Sequence, residues 1–501
     1  MQQQIGIPPV AAGFLVRSAQ AMKKKFTDDL YRTSPVWLQK LGINAFGWYW
    51  ARRRLGPDFE RFSREYQERE SYSPGRFHDY VEGQLRSQVR RAYLEVPYYR
   101  EAFSRYGFSE QGIERFTLND LAHLPRLEKT ALRANPQMLL TSHAARRPPK
   151  SFETSGTTGT PLRVYWDSSV HQHNIAARAA RSFLWAGVNY RQSRAVLAGR
   201  MITDPSMGRP PFWRYNVWEK QLYLSSYNIS FENISDYVSA LNRFRPVTLT
   251  GFPSSLYYLG ALIAHFKLPV HHPRAVITTS EALLPHMREM IESVFQAKTF
   301  QEYGSVENCA LATECEYGRL HVHQDFGFVE ILRDDGTSTI PGEIGEIVAT
   351  GFANVNQIFI RYRTGDLARW ARRPCPCGRR NFPVLEELVG RQEDILYLPN
   401  GRGMMRLDSV FKGLSGIAVG QVVQESLSQM VINLVPTQDY SPADGETVAR
   451  RIVSAYGLGR DVRIEIRLVE NIPREKNGKF RPVVSHVRNY VFDKPTGLLK
   501  E

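Results

Sequence analysis

Hydrophobic and polar residues follow a helical spacing through most of the first 130 residues. Between Arg76 and Tyr93, apolar residues recur among charged ones every three or four positions, which predicts a helix. Pro97 ends this pattern, because proline lacks the amide proton that a continuing helix requires. Residues 151–166 then predict a strand, a glycine-rich loop and a second strand.

The middle of the chain alternates between short strand-like runs and longer helical patterns. We expect strands at Val247–Thr250, Ala275–Thr279 and Thr299–Tyr303, separated by helices at Ser254–Phe266 and Pro285–Phe295. Strands that alternate with helices in this way form a mostly parallel sheet covered by helices.

The pattern becomes one of strands and turns after Gly327. Strands are predicted at Phe328–Leu332, Glu343–Thr350 and Gln357–Tyr362, with a turn at Pro341-Gly342. These elements predict a small β-rich subdomain within the larger part of the chain.

A third region is predicted after Gly390. Val422–Val435 is strand-like, Glu446–Tyr456 is helical, and Val462–Val469 alternates as a strand does. We therefore expect an α/β protein in three parts: a helical extension at 1–75, a large mixed α/β domain with parallel-type sheets at 76–390, and a small α+β domain at 391–501.

Length and composition narrow the class of protein. The 501 residues exceed one ordinary core, and the 42% hydrophobic and 23% charged content is that of a soluble protein. No apolar run approaches the ~18 residues of a membrane-spanning helix. Lys23–Lys25 follow the N-terminal apolar residues, whereas a secretory signal begins with its positive charges, so we expect a cytoplasmic location.

The formal net charge of +15 is concentrated towards the N-terminus. We interpret it as a solvated basic face, although it could also attract an anionic partner. No zinc-finger spacing or aromatic RNA-binding motif accompanies the charge, so we expect no nucleic-acid partner. The aromatic and basic stretch Phe46–Arg54 leaves a peripheral membrane contact open.

The first chemical motif is Thr154-Ser-Gly-Thr-Thr-Gly-Thr-Pro161. Glycines allow backbone N–H groups to approach an anion, and serine and threonine hydroxyls can hold phosphate oxygens. A Walker A loop would end in Gly-Lys-Ser/Thr, which this one lacks. The alternative is a plain linker, but apolar Phe152 and Leu162 flank the loop.

Two further motifs carry carboxylates. Gln301–Glu307 follows a predicted parallel strand, where open α/β sheets bind ligands. There Tyr303 offers a flat face to a base, and Glu307 offers a hard oxygen ligand to Mg²⁺. In Arg361-Tyr-Arg-Thr-Gly-Asp366, a fixed carboxylate after a tight turn suits a pair of ribose hydroxyls.

The last two motifs are Gly390-Arg-Gln-Glu-Asp394 and Pro473-Arg-Glu-Lys-Asn-Gly-Lys479. Each of the five is weak by itself, but in this order they resemble the adenylate-forming superfamily of acyl-CoA synthetases, adenylation domains and luciferases. The resemblance covers about residues 75–490. Glu314–Asp325 and Cys375-Pro-Cys-Gly378 narrow it to phenylacetate–CoA ligase-like proteins, including the branch linked to capsular polysaccharide biosynthesis.

The resemblance implies a set of roles. Loop residues would hold the ATP phosphates: Ser155, Gly156, Thr157, Thr158, Gly159 and Thr160. Residues that would line the adenine pocket are Ser280, Glu281, Glu302 and Tyr303. Glu307 would bind Mg²⁺, Asp366 the ribose hydroxyls with Arg391 nearby, and Lys479 would bridge the substrate carboxylate and the α-phosphate. Family members rotate the C-terminal domain, so 391–501 would be a mobile lid. Glu393 stands where the commoner hinge residue is Asp, which leaves the pivot between Glu393 and Asp394 open.

The implied reaction joins a carboxylic acid to ATP, which gives an acyl-adenylate and pyrophosphate, and then transfers the acyl group. We favour coenzyme A as the acceptor. The capsule-branch resemblance keeps open an amide-forming ligase that uses an amine or amino sugar. An alternative of another class is a nucleotide-binding scaffold in a polysaccharide assembly complex, against which the catalytic motif residues argue.

Three of the four cysteines cluster with histidines. Cys315, Cys375 and Cys377, with one imidazole, would suit tetrahedral structural Zn²⁺, and reduced buried thiols are the alternative. His321 and His323 lie two apart and so share one face of a strand. The family pattern favours His321. Cys309 is interpreted as pocket lining, because no paired base is evident.

The acid itself cannot be identified from the sequence. The expected acyl pocket lies at roughly 200–218 and 250–258, which contain seven aromatic residues: Phe212, Trp213, Tyr215, Trp218, Phe252, Tyr257 and Tyr258. These rings fit an aryl or sugar acid, and fit an ordinary core equally well.

Overall fold

A computed structural model of the chain describes residues 30–487, except 32, 154–161, 201, 205–206, 208, 231, 392–395, 398–402, 405–409, 412–413, 415, 457–461 and 474–480. The proposed phosphate loop and Lys479 lie outside the described residues, as do the side chain of Arg391 and residues 392–394. Among the described helices, none combines the length and apolar character needed to cross a membrane.

The helices described are α1 (Val36–Arg54), α2 (Pro57–Glu70), α3 (Pro74–Glu95), α4 (Pro97–Arg105), α5 (Glu110–Glu114), α6 (Lys129–Ala134), α7 (Ser142–Arg146), α8 (Ser168–Arg178), α9 (Ile234–Phe244), α10 (Pro253–His265), α11 (Pro285–Phe295) and α12 (Pro442–Tyr456). A 3₁₀ segment covers Leu118–His123, and a π-helical segment, Ala179–Phe183, continues α8. The mainly helical character predicted for the first 130 residues is therefore confirmed over those that the structure describes.

Helix α3 shows why these segments are helical. The Ser73 side chain accepts a hydrogen bond from the backbone N–H of Arg76 at 3.4 Å, which caps the first turn. Buried apolar side chains recur every three or four residues and form one continuous face: Phe77, Val81, Leu85, Val89 and Ala92. The helix ends where Pro97 begins the next one.

The strands are β1 (Lys150–Glu153), β2 (Arg163–Trp166), β3 (Arg194–Ala198), β4 (Trp213–Asn216), β5 (Gln221–Ser225), β6 (Thr248–Gly251), β7 (Ala275–Thr279), β8 (Thr299–Gly304), β9 (Leu311–Glu314), β10 (Leu320–Val322), β11 (Gly327–Leu332), β12 (Ile344–Gly351), β13 (Tyr362–Trp370), β14 (Val384–Arg391), β15 (Leu396–Tyr397), β16 (Gly403–Met404), β17 (Ile417–Ser426), β18 (Gln429–Pro436), β19 (Arg463–Leu468) and β20 (Val483–Ser485).

One twelve-stranded sheet dominates, in the order β11-β12-β13-β14-β10-β9-β8-β7-β6-β3-β5-β4. The pairs β3–β5, β3–β6, β6–β7 and β7–β8 are parallel, with α10 and α11 as the crossovers on either side of β7. The predicted α/β class is confirmed, and the β-rich subdomain joins the parallel strands in this same sheet.

Two predicted strands need correction. Gln357–Tyr362 is not a strand: β13 begins only at Tyr362, because Arg361 has a left-handed φ of +46° and the Gln357 side chain accepts a hydrogen bond from the backbone of Tyr165. Val422–Val435 is not one strand but the hairpin β17–β18, which turns at residues 427–428.

The C-terminal part has a separate sheet. Its four strands are ordered β19-β18-β17-β20 and are accompanied by α12. A separate buried cluster fills this part and includes Leu396, Val422, Ile432, Val448 and Ile452. The expected α+β character of the C-terminal part is confirmed.

The N-terminal helices α1 and α2 pack against the large sheet domain. Gln172 on α8 accepts hydrogen bonds from the first backbone N–H groups of α2, at 2.9 Å from Asp58. Asn44 on α1 donates to the Tyr215 carbonyl at 3.1 Å and accepts from the Val217 N–H at 3.0 Å. A side chain at Gly47 would collide with Asn216, so a glycine permits this close approach.

Candidate active site

The carboxyl end of β7 leads into two of the predicted nucleotide residues. Ser280 has a left-handed φ of +74°, an unfavourable backbone conformation for a residue other than glycine. The Glu281 carboxylate accepts a hydrogen bond from the backbone N–H of Ser254 at 3.1 Å, at the start of α10. Both residues therefore lie where parallel strands end, which is the usual ligand-binding edge of such a sheet.

Tyr303 and Asp366 are brought together by the curvature of the sheet. The Tyr303 hydroxyl donates to Asp366 Oδ2 at 2.8 Å, although three strands lie between β8 and β13 in the sheet order. Burial, and secondarily the Asp366 charge, raise the pKa of Tyr303 well above its ordinary value. Tyr303 therefore stays protonated and fixes one oxygen of the carboxylate.

Glu307 lies beside this pair, in the loop after β8. Its side chain is buried, and its Oε1 accepts a hydrogen bond from the Tyr362 hydroxyl at 2.8 Å. No basic side chain among the described residues pairs with it. A buried carboxylate without a counter-charge is costly, so this position suits a bound cation.

Glu302 does not join this group. Side chains alternate along a strand, and Glu302 points to the face of β8 opposite Tyr303. Its carboxylate accepts hydrogen bonds from Arg178 and Ser182. Of the four residues predicted to line the adenine pocket, Glu302 is therefore the one whose side chain is committed elsewhere.

The strands that flank the proposed phosphate loop pair with each other and form hydrogen bonds with neighbouring side chains. β1 and β2 pair as an antiparallel hairpin, with Glu153 opposite Arg163. The Tyr165 backbone bonds to the side chains of Gln357 and Asn354, at 3.0 and 3.1 Å. The two predicted strands are therefore confirmed, whereas the loop between them lies outside the described residues and the roles of Ser155–Thr160 stay predictions.

A cavity of about 560 Å³ lies on the Glu302 face of the sheet. Its walls come from β3, β5, β6, β7 and β8, from helices α1 and α8, and from the base of the β1–β2 hairpin. The lining includes Trp50, His171, Arg178, Arg194 and Arg200. Sequence reasoning missed all of these except Arg200, which fell within the expected pocket segment. The i,i+4 and i,i+7 spacings of Trp50–Arg54 and His171–Arg178 could have suggested shared helix faces.

The aromatic residues expected in the acyl pocket lie elsewhere. Phe212 is fully buried and stacks on Tyr237, and Tyr215 stacks on Phe244. Trp218 is exposed at the surface. For these residues the ordinary-core or surface interpretation holds. Among the described residues of the two expected segments, those that line the cavity are Arg200, Ile202 and Thr250.

The cysteine and histidine cluster is assembled. The ligand atoms of Cys315, His321, Cys375 and Cys377 all lie within 4.8 Å of one another. His321 Nδ1 lies 2.8 Å from the Phe382 carbonyl, which can only accept, so Nδ1 carries the proton. The Nε2 lone pair therefore faces the cluster, 3.4 Å from Cys377 Sγ. A second hydrogen bond that orients the imidazole in this way is typical of metal-ligating histidines.

His323 and Cys309 have other environments. The rings of His321 and His323 both contact Trp185, which confirms that they share a face, but His323 Nε2 bonds to Thr313 at 2.8 Å. Cys309 is fully buried in the main hydrophobic core, and burial raises the pKa of its thiol. Cys309 is thus a core residue rather than pocket lining.

Comparisons with known proteins agree with this geometry. Residues 397–486 match the CapK C-terminal domain family. The chain is 24% identical over 383 residues to protein CapK of Staphylococcus aureus, which covers 75% of this chain and 82% of that protein. It is also 24% identical over 327 residues to phenylacetate–coenzyme A ligase of Thermus thermophilus. That match covers 63% of this chain and 71% of the relative.

Among solved structures, a 2-hydroxyisobutyryl-CoA ligase in complex with R3-HIB-AMP has a TM-score of 0.65 at 20% identity, over 83% of this chain and 91% of the other. The resemblance to the adenylate-forming superfamily, in its phenylacetate–CoA ligase-like and CapK branch, is thereby confirmed. The fold is the fold of these CoA ligases.

Proposed function

We propose that the chain is an ATP-dependent ligase that activates a carboxylic acid as its acyl-adenylate and transfers the acyl group to coenzyme A. The observation that carries this proposal is the group at the carboxyl edge of the sheet. There the Tyr303–Asp366 hydrogen bond lies beside the buried Glu307, which no described basic side chain neutralises. Relatives named as phenylacetate–coenzyme A ligases and a structural neighbour named as a CoA ligase support it.

In the first step, a carboxylate oxygen of the acid attacks the α-phosphorus of ATP. The bond from that phosphorus to the oxygen bridging to the β-phosphate breaks, and pyrophosphate leaves. In the second step, the thiol of coenzyme A loses its proton and attacks the acyl carbon, so AMP leaves and a thioester remains. Both steps bring anions together, which fixed cationic and hydrogen-bonding groups must stabilise.

The nucleotide is proposed to lie across the ends of β7, β8 and β13. Asp366 would accept the ribose hydroxyls while Tyr303 holds it in place. The backbone of Arg391 pairs with that of Asp366 in the β13–β14 register, which supports a position for Arg391 near the ribose. Ser280 and Glu281 would border the adenine, and loop residues Ser155–Thr160 would hold the phosphates.

Glu307 fits a magnesium ligand. Mg²⁺ is usually held by one or two carboxylates together with phosphate oxygens. Glu307 is a buried carboxylate whose side-chain partner in the described part of the chain is a neutral hydroxyl. When bound, the ion would neutralise phosphate charge in the transition state. Glu307 would thus bind and orient it.

The cluster of Cys315, His321, Cys375 and Cys377 is proposed to hold structural Zn²⁺. Four protein ligands make a closed site, which stabilises folding and leaves no position for substrate. Metal analysis of the purified chain should find about one zinc per chain. Cys377→Ser should lose it and unfold at a lower temperature, whereas Ser305→Ala, away from the cluster, should retain it. A zinc-free wild-type chain of full stability would contradict the proposal.

An ATP-dependent hydroxamate screen over many carboxylic acids tests the ligase function. Lys479→Ala should abolish adenylate formation, because Lys479 is proposed to bridge the carboxylate and the α-phosphate. Lys476→Ala removes a charge from the same loop and should leave the activity unchanged. Normal adenylation by Lys479→Ala would remove that residue from the mechanism.

The acceptor is tested with the same acids. Coenzyme A should give a thioester, whereas product formed only with an amine or amino sugar would favour the amide-forming alternative. Nucleotide binding without adenylation of any acid would favour the scaffold.

The division at 1–75, 76–390 and 391–501, with a mobile last part, stays a proposal. So do a cytoplasmic location, a role in capsular polysaccharide biosynthesis and a peripheral membrane contact, for which the exposed side chains of Trp37, Trp48 and Tyr49 are available.

A further inference from the structure

The cavity beside β8 carries more positive charge than its acidic residues balance. Its charged lining residues are four arginines and one glutamate. Two of the arginines form ion pairs with buried glutamates: Arg54 with Glu219 at 3.3 Å, and Arg178 with Glu302. The other two, Arg194 and Arg200, have no acidic partner among the described residues.

Arg194 is the more unusual of the two. Its side chain is only 3% exposed, and its guanidinium lies 3.9 Å from the centre of the Tyr190 ring. Its Nη2 atom is buried and has no hydrogen-bond partner among the described residues. A buried guanidinium with an unsatisfied donor is stable only if something else supplies the acceptor. The cavity is the open space next to it.

Arg200 lies at the other end of the same cavity. Its guanidinium lies 4.6 Å from the Tyr223 ring centre and 5.0 Å from that of Phe46, and within the described part of the chain its Nη1 has no hydrogen-bond partner. Arg194 begins β3 and Arg200 follows its end, so the strand between them spans roughly 13 Å. The end near Arg200 is the carboxyl edge, where the proposed nucleotide lies.

The wall between these ends is aromatic and supplies uncharged donors. Trp50, Phe152, Trp166 and His171 contact one another through their rings. The indole nitrogens of both tryptophans and Nε2 of His171 are buried, and no described residue forms a hydrogen bond with them. Burial first, then the nearby Arg53, lower the pKa of His171 to about 3, so this ring is neutral.

We propose that the cavity binds a carboxylic acid with a second anionic group at its distal end, and that Arg194 pairs with that group. The acid's reacting carboxylate faces the nucleotide edge, and its middle packs between the aromatic wall and the sheet. The assignment of this acid as a substrate rests on the ligase function proposed above. Its charge distinguishes it from phenylacetate, which has a single carboxylate.

Helix α1 contributes to the selection of this acid. Trp50 and Arg54 lie one turn apart on it, and both face inward to the cavity. The Asn44 hydrogen bonds and the close approach at Gly47 hold the helix against β4. The N-terminal extension thereby closes one side of the acid pocket, which gives a function to residues outside the five nucleotide motifs.

Calorimetry with two isosteric pairs of acids tests the inference. The pairs are para-carboxyphenylacetate with para-carbamoylphenylacetate, and adipate with adipamate, so that charge changes while size does not. Of the two dianions, the one that wild type binds more tightly should bind at least ~100-fold more tightly than its own amide. The amide would leave the buried Arg194 cation without an anionic partner. Arg194→Met should bring this ratio close to one. Arg194→Lys should keep most of it, and Arg191→Met, at an exposed arginine, should not change it.

Equal binding of acid and amide in both pairs would overturn the inference, as would a preference that survives in a folded Arg194→Met. Circular dichroism and thermal unfolding establish that each variant is folded. Pyrophosphate exchange with the same acids separates the two proposals. A dianion preference that depends on Arg194 without any exchange supports the cavity assignment and contradicts the ligase. Pyrophosphate exchange that favours the uncharged analogues supports the ligase and contradicts the cavity assignment.

Discussion

Two carboxylates five residues apart, Glu302 on β8 and Glu307 just after it, are both buried but have different partners. Glu302, at 4% exposure, is neutralised within the protein by Arg178. Glu307, at 6%, has the Tyr362 hydroxyl as its one side-chain partner among the described residues. The Glu302 carboxylate is therefore balanced within the protein and supports the wall of the cavity, whereas the Glu307 carboxylate has no cationic partner in the part of the chain that the structure describes. The difference indicates that Glu302 has a structural role and that Glu307 is available to a bound cation.

The largest expected effect comes from Glu307→Gln. Adenylation should fall on the order of 1,000-fold, about 4 kcal/mol in the transition state, because a metal-binding charge is lost. The free energy of unfolding should stay the same or rise, since an uncompensated buried charge has been removed. Hydroxamate kinetics and urea unfolding measure the two effects. Unchanged adenylation would place Glu307 outside the site.

Glu302→Gln should show the opposite behaviour. The substitution leaves the Arg178 charge without its partner, so the free energy of unfolding should fall by about 3 kcal/mol. The double variant Glu302→Gln/Arg178→Met should recover part of this loss, which urea unfolding would detect as coupling. A stable single variant with impaired nucleotide binding would instead place Glu302 on the adenine face.

The cavity face also predicts a pH dependence. Folded His171 stays neutral down to about pH 3, whereas the unfolded chain binds a proton near the ordinary value of 6.5. Between these values the unfolded state holds more protons, so lowering the pH from 7 to 5 should cost about 2 kcal/mol through this residue. His171→Phe should remove that part of the slope in urea unfolding, and His272→Phe, at the surface, should not. An unaltered slope in His171→Phe would show that the ring is hydrated.

The smallest effect concerns Tyr303→Phe. Loss of the hydroxyl frees Asp366 from one donor, so the KM for ATP should rise about five- to tenfold, near 1 kcal/mol. Tyr99→Phe loses a comparable buried hydrogen bond to the Ile358 carbonyl and should lower stability without changing this KM. Equal KM values in the two variants would argue against a nucleotide at Asp366.

The sequence predicted local elements well because their patterns are local. Strand Ala275–Thr279 and helix Pro285–Phe295 have the predicted bounds, and the cysteine and histidine set meets as expected. Gln357–Tyr362 was mistaken for a strand because its apolar residues are buried although they lie in a loop. The spacing of apolar residues cannot distinguish such a buried loop from a strand that pairs in a sheet.

Features that depend on distant contacts could not be predicted. The Tyr303–Asp366 hydrogen bond needs a sheet curved across three intervening strands. The arginine-rich cavity draws Trp50, His171 and Arg194 from α1, α8 and β3, whose relative placement no motif records. Aromatic residues alone suggested a pocket whose rings do not line the cavity described here, since a ring such as Phe212 stabilises a core as readily as it binds a ligand.

The most direct test of the account is acid-dependent exchange of labelled pyrophosphate into ATP, compared between wild type, Glu307→Gln and Glu302→Gln. We predict exchange by wild type that requires both an acid and Mg²⁺, its near-complete loss in Glu307→Gln, and its retention by the folded fraction of Glu302→Gln. A well-folded wild-type chain that exchanges no pyrophosphate with any acid, or a Glu307→Gln variant that exchanges normally, would contradict the assignment of this edge of the sheet as the adenylating site.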